Sequence, residues 1–306
     1  MSDIKFEREN MNLSKESIQE FKRQFKIAGV EPTWHIVLGS GFGAAMDSIA
    51  GTAQKASDAW VCRGEFSFEQ IPGMVPSTVV DHAGKYRIYA NEARGKAVLV
   101  QLGRLHGYEG HPAAAAISPV MLGRLSGISK FVLTNAAGGL DPKHHVGDVM
   151  VIQDHVNMTG QNPLTGPNPT FPDGTPLGPR FPDMSALYDP EWRAALKDCL
   201  KQTAGRVHEG VYLGLLGPSF ETHAEVALFS RWGVSAVGMS TVWEAIALRH
   251  SGAKLVGLSL ISNAAAGMGD GAPLQHEKII ETCRISAQRI LQGVLKWIEK
   301  EPEKAL

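Results

Sequence analysis

The stretch HIVLGSGFGAAM, His35 to Met46, breaks from an apolar β-branched run into glycines and then into small residues that can open a helix. A strand, a tight turn and a helix N-terminus in that order form an α/β unit, and the turn can present backbone N–H groups to an anion. Gly39, Gly41 and Ala44 also satisfy the relaxed glycine pattern of dinucleotide-binding turns. Such a site needs an acidic residue about 20 positions on, closing the next strand. Asp58 lies near that distance but precedes the short apolar run Ala59-Trp60-Val61-Cys62 and closes no strand, which counts against a nicotinamide dinucleotide.

Outward from this stretch, short apolar runs bounded by glycine or polar residues read as buried strands: KAVLVQL at 96–102, KFVLT at 130–134, VMVIQD at 149–154, GVYLGLL at 210–216, the short SAVG at 235–238 and KLVGLSLI at 254–261. Helical patterns alternate with them at 111–128, 189–204, 221–233 and 241–252, the second opened by Asp189 and Pro190 as cap and first turn. An N-terminal helix within 1–30 is capped by Ser14 and carries Ile18, Phe21 and Phe25 as one stripe, and a long helix over 275–300 closes the core. The alternation predicts one α/β domain spanning 1–306, with a central mixed, largely parallel sheet flanked by helices. Residues 160–182 hold seven prolines and can be neither helix nor central strand. They read as an ordered binding loop given anchors by Phe171, Phe181 and Met184.

Thirty basic against 31 acidic residues give a net charge of -1, with no basic block to track a phosphate backbone, so nucleic acid is not an expected partner. Cys62, Cys199 and Cys283 are far apart and suggest neither zinc nor disulfides. No leader-like or membrane-spanning apolar run is present, so a cytoplasmic protein is expected. The adjacent His144 and His145 look like a metal pair but cannot share one helix face, and a solvated loop is the better reading.

Ligands of α/β sheets sit at the carboxyl ends of strands. Those positions collect Ser40, Arg104, His106, the Asn135-Ala136-Ala137-Gly138-Gly139 turn and Ser240, a set of hydroxyls, one fixed cation, a ring donor and backbone N–H groups that suits a single phosphate. They also collect Glu221 and Asn263, an acceptor and a donor–acceptor that suit the edge of a heterocyclic base, with Phe220 and Met239 to contact its face or a sugar. Taken singly, Arg104 reads as a surface ion-pair partner, His106 and His276 as ordinary exposed histidines, Phe220 and Met239 as core, and Glu221 as a carboxylate at a helix N-terminus. The combination points to a ligand.

The stretches VLGSGFG, GRLHGYEGH, LTNAAGGL, GQNPLTGPN, GPSFETHAE, AVGMSTVWEA and SLISNAAAG, in order through nearly the whole chain, resemble the trimeric, low-molecular-mass purine nucleoside phosphorylases. The resemblance implies phosphorolysis of 6-oxopurine nucleosides, inosine and guanosine with xanthosine left open, to free base and ribose 1-phosphate, with phosphate as co-substrate and no metal or organic cofactor. It implies a phosphate site of Ser40, His82, Arg104, His106, Ala136 and Ser240. The purine site would be Ala137, Gly138, Phe220, Glu221, Val237, Gly238 and Asn263, and the ribose site Tyr108, Met239 and His276. Asn263, Glu221, His106 and His276 would carry catalysis. A homotrimer is implied, in which an aromatic residue of the Pro-rich loop, Phe171, or else Leu177, reaches the neighbouring site.

Asn263 favours 6-oxopurines because an amide can donate to the 6-oxo group, whereas an acid would favour a 6-amino group; a 5′-methylthioadenosine phosphorylase is therefore the alternative reading. A non-catalytic nucleoside-binding protein is the alternative of another class, opposed by the presence of the phosphate ligands. Trp243 stands where a proline is usual in the family and Ala264 where a lysine is often found.

Overall fold

The computed structural model describes residues 13–43, 45–50, 59–79, 83–265 and 276–302, without the side chains of 48–50 and 276–282. Ala44, Asp58 and His82 lie outside the described residues. At the centre is β1, Trp34–Leu38, buried at every position and paired in parallel with β4 (Lys96–Leu102) and β5 (Lys130–Gly139). An unbroken apolar strand is what two covered faces demand. β2 (Val61–Ser67) and β3 (Lys85–Asn91) extend the sheet beyond β4 as an antiparallel pair. On the other side, β6 (Val149–Asn157), β7 (Val207–Gly214), β8 (Val234–Gly238) and β9 (Lys254–Ala264) follow in the order β5-β8-β7-β6-β9, and β9 pairs again with β5. Five strands thus close into a ring on which the sheet's remaining strands are hung. Five of the nine pairings are parallel, so the sheet is mixed and largely parallel as expected.

Helices cover both faces. On one lie α1 (Lys15–Ala28), α3 (Ala113–Ala116), α4 (Ser118–Leu125) and α7 (Val242–His250), whose buried residues include Phe21, Phe25, Val120, Met121, Ile246 and Leu248. Ser14 caps α1, its hydroxyl accepting from the Ser17 N–H at 3.2 Å, and Phe21 meets Phe66 and Tyr86 edge-on. On the other face lie α2 (Ala45–Ala50), α5 (Pro190–Lys201) and α8 (His276–Lys300). There Trp34 stacks on Trp192 at 4.8 Å and meets Trp297 edge-on at 5.0 Å. Asp189 caps α5 through the Trp192 N–H at 2.8 Å. α6, His223–Arg231, packs beside β8.

Four expectations change. The helix expected over 111–128 is broken at Ile117, because Pro119 fits only the first turn of a new helix. The NAAGG stretch is no turn. Asn135 to Gly139 continue β5, since alanine and glycine leave room for β9 beside them: a Cβ on Gly139 would already lie 3.1 Å from Ile261 Cγ2. Phe181 anchors nothing, being 89% exposed, whereas Leu177 is buried and Leu164, Phe171 and Met184 pack on the core. His144 is not solvated like its neighbour His145. Its half-buried ring lies 4.5 Å from that of His208, and His208 Nε2 is 2.8 Å from Asp148.

Candidate active site

Gly103, at φ +91°, donates to the Leu38 carbonyl at 3.0 Å and so delivers Arg104 to the carboxyl end of β1. The guanidinium is only 2% exposed and held from two sides: Nε and Nη2 donate to Oε1 and Oε2 of Glu244 at 3.2 and 3.1 Å, and Nη1 donates to the Thr134 carbonyl at 2.8 Å. Nη1 also reaches Ser240 Oγ at 3.5 Å. This explains Gly39 in the opening stretch. A Cβ there would fall 2.6 Å from Arg104 Nη1 and 2.8 Å from the Thr134 oxygen, so the glycine makes room for the cation.

Ser240 is aimed by a rare, strained three-residue turn. Thr241, not a glycine, stands at φ 73° and ψ -46°, with the Val242 N–H donating to the Ser240 carbonyl at 2.8 Å. Buried Asn135 Nδ2 donates to the Thr241 hydroxyl at 2.9 Å, and the Tyr212 hydroxyl donates to the Ser240 carbonyl at 3.3 Å. Strain of this kind persists only where the surroundings over-determine it, and it clusters at functional sites.

His106 is fixed by Glu109, whose Oε1 accepts from the His106 main-chain N–H at 2.7 Å and lies 3.2 Å from its Nδ1. Burial pushes the Glu109 pKa up, but hydrogen bonds from Thr78 and His106 outweigh it and hold the group ionised below its ordinary value. A carboxylate only accepts, so His106 presents Nδ1–H to it, which sets the tautomer. The Tyr108 ring stacks on His106 at 4.6 Å, and burial pushes its phenol up to about 12, leaving a protonated hydroxyl.

At the other end, Gly138 of β5 pairs with Val237 of β8 and with Asn263 of β9. The Ser262 hydroxyl donates to Asn263 Oδ1 at 2.7 Å and Asn263 Nδ2 donates to the Ala264 carbonyl at 2.9 Å. One N–H and one lone pair of the amide remain for a ligand. Glu221 precedes the cap of α6, and the dipole role that could have explained it belongs to Glu225, which shares a capping box with Thr222. Burial raises the Glu221 pKa, as expected of a carboxylate partly withdrawn from solvent at the wall of a cavity.

One cavity of about 340 Å³ gathers these groups. Ser40, Arg104, His106, Ala136 and Ser240 line it together with Tyr108 and Met239, and so do Ala137, Gly138, Phe220, Glu221, Val237, Gly238 and Asn263. His276 opens α8, but its side chain, like all of His82, is outside the described residues. Asn135 and Ser262, both at strand ends, line it too, and Val79 and Cys283 do so unforeseen. Glu244 was missed as well; the signal was a single carboxylate in the otherwise apolar Val242–Leu248 segment of α7.

Residues 61–299 match the family described as the Phosphorylase superfamily. The chain is 38% identical over 273 residues to purine nucleoside phosphorylase 1 of Geobacillus stearothermophilus, covering 89% of this chain and 92% of that one. Two solved structures of Schistosoma mansoni purine nucleoside phosphorylase superpose on it. The complex with adenosine does so with a TM-score of 0.79 and 27% identity, covering 96% of this chain and 100% of that one. The complex with inosine does so with a TM-score of 0.76 and 28% identity, covering 95% and 98%. With a profile match over most of its length and relatives of this identity and coverage, the chain belongs to the phosphorylase superfamily and, within it, to the purine nucleoside phosphorylases.

Proposed function

We propose that the cavity carries out reversible phosphorolysis of 6-oxopurine nucleosides, releasing the base and forming ribose 1-phosphate, or its deoxy counterpart. The observation that carries this reading is the polarity of one continuous cavity. A buried arginine between hydroxyls and a fixed histidine lies along the same wall as a desolvated carboxylate and an oriented amide.

Cleavage of the glycosidic bond passes through an oxocarbenium-like state, with positive charge on the sugar and negative charge on the departing base. Phosphate held by Ser40, Arg104, His106, Ser240 and the Ala136 backbone, with His82 assigned to the same group, faces the developing cation and attacks C1′. Asn263 donates to the purine as its ring gains electron density, and ionised Glu221 accepts from the N–H groups of the opposite edge. Tyr108, Met239 and His276 are assigned to the ribose. Rate enhancement comes from position and preorganised field, with no covalent enzyme intermediate and no metal or organic cofactor. The amide at 263 supports the 6-oxo preference, since its remaining N–H can meet an oxo group.

We also propose a homotrimer in which the Pro-rich loop reaches the neighbouring site. Leu177 is buried in this chain's own core, while Phe171 is half-buried against it and keeps part of its ring exposed. Phe181, 89% exposed, is the more exposed of the loop's two aromatic residues and the one we assign to that reach. Among the described residues no helix is long and apolar enough to cross a membrane; the proposed compartment is the cytoplasm.

The test is release of free base from inosine, guanosine, xanthosine, adenosine and 5′-methylthioadenosine, with and without phosphate. Phosphate-dependent release from the 6-oxo substrates is expected. Equal release from adenosine would remove the specificity reading, and release without phosphate would make the enzyme a hydrolase.

A further inference from the structure

Trp243, the residue departing from the family's usual proline, lies between the phosphate end of the cavity and the root of the Pro-rich loop. It is the second residue of α7 and only 8% exposed. Its ring lies against the main chain of Gly107: a Cβ there would fall 2.5 Å from Trp243 Cη2 and 2.5 Å from Leu216 Cδ1. Gly107 links His106 to Tyr108, both of which line the cavity. Gly107, Thr159, Leu216 and Trp243 share the lining of a small pocket of about 20 Å³, room for about one water.

The indole Nε1 donates to Thr159 Oγ1 at 2.9 Å. Thr159 is otherwise fully engaged: its hydroxyl donates to Asn157 Oδ1 at 2.7 Å and accepts from the Gln161 N–H at 3.2 Å. That turn is where the loop leaves β6. The same helix holds the loop again at its far end, through His250 Nε2 to Asn168 Oδ1 at 3.1 Å and Arg249 Nε to the Asp183 carbonyl at 3.0 Å.

We propose that Trp243 is a positioning residue for the reaction: through Gly107 and Thr159 it fixes the His106–Tyr108 segment against the loop root, and thereby sets the geometry with which phosphate is held. The inference rests on the assignment of phosphate to the Arg104 end of the cavity. It explains why position 107 must be a glycine here, since ring and side chain exclude each other.

Two conservative variants and their combination test it. Thr159→Val removes the acceptor and keeps the bulk, and Trp243→Phe keeps a ring beside Gly107 and removes the donor. Each is expected to raise the KM for phosphate about threefold to tenfold, the range of one lost hydrogen bond, while leaving the KM for inosine within about twofold. The double variant should be no worse than the poorer single one, because both break the same link. Phosphate KM within about 1.5-fold of wild type in both singles, or effects that multiply in the double, would overturn the proposal. If Trp243→Phe does not fold, Thr159→Val alone decides. Arg104→Lys measured alongside separates the two readings. If it leaves the phosphate KM unchanged, the assignment of the anion site has failed; if only Arg104→Lys raises it, the role of Trp243 has failed.

Discussion

Arg104 and Glu244 meet through two parallel hydrogen bonds of 3.2 and 3.1 Å, with 2% and 6% of their side chains exposed. Such a pair is a modest source of net stability, but breaking it leaves an uncompensated buried charge. Glu244→Gln should therefore lower unfolding free energy by roughly 3 to 5 kcal/mol. Part of the loss should return in saturating phosphate, whose charge substitutes for the missing carboxylate. Urea denaturation with and without phosphate measures both, and a loss below about 1 kcal/mol would show that the pair does not hold Arg104 in place.

Asn263 and Glu221 are expected to divide the reading of the base. Asn263→Asp should lower activity on inosine and raise it on adenosine, because the replaced amide can no longer donate; unchanged relative rates would mean that position 6 is read elsewhere. Burial raises the Glu221 pKa, and the base-binding form is the carboxylate. Falling pH should thus weaken inosine binding sooner than an exposed carboxylate would. A pH profile of kcat/KM for inosine should lose that acid limb in Glu221→Gln, and an unaltered limb would assign it to another group.

Phe181 contributes little to its own chain, as its exposure of 89% implies. Phe181→Ser should leave the thermal midpoint nearly unchanged and raise the KM for nucleoside about twofold to tenfold, on the order of 0.5 to 1.5 kcal/mol of lost aromatic contact. Steady-state kinetics beside a melting curve gives the comparison. A wild-type KM would leave the loop without a role in a second copy's site.

His35, wholly buried in β1, has its pKa driven by burial from 6.5 down to about 3. As pH falls, the unfolded chain takes up the proton first, so this histidine's contribution to stability is complete above 6.5 and is lost progressively toward 3. Between about pH 7 and pH 4 the urea midpoint of wild type should drop further than that of His35→Leu. Parallel curves would mean that another group carries the acid sensitivity.

The central strands were legible because burial on both faces demands continuous apolar runs, and α1, α5 and α8 announced themselves through caps or periodicity. β2 and β3 were not. Val61, Cys62 and Arg63 of β2 are exposed at the sheet's edge, so the segment lacks an apolar run. In β5 and β9 the chemistry itself obscured the structure. NAAGG and SNA look like turns because site residues must be small or polar, yet neighbouring strands hold them extended. Most of the cavity's lining could be named from strand ends and the family resemblance. Glu244 was not named, because its lone carboxylate in an apolar helix segment signals burial without saying against what, and only the fold brings it against Arg104.

The five-strand ring has a dynamic consequence. Ala136 to Gly138, Val237, Gly238 and Asn263 all sit on strands of that ring, tied to one another by main-chain ladders. Their relative positions can change only if the ladder opens, so their amides should exchange with deuterium as one slow cooperative unit. Entry and exit of the nucleoside must then be gated by segments outside the ring, such as Tyr108 and Phe220. Turnover would be set by how those outlying pieces fluctuate around a floor that does not move.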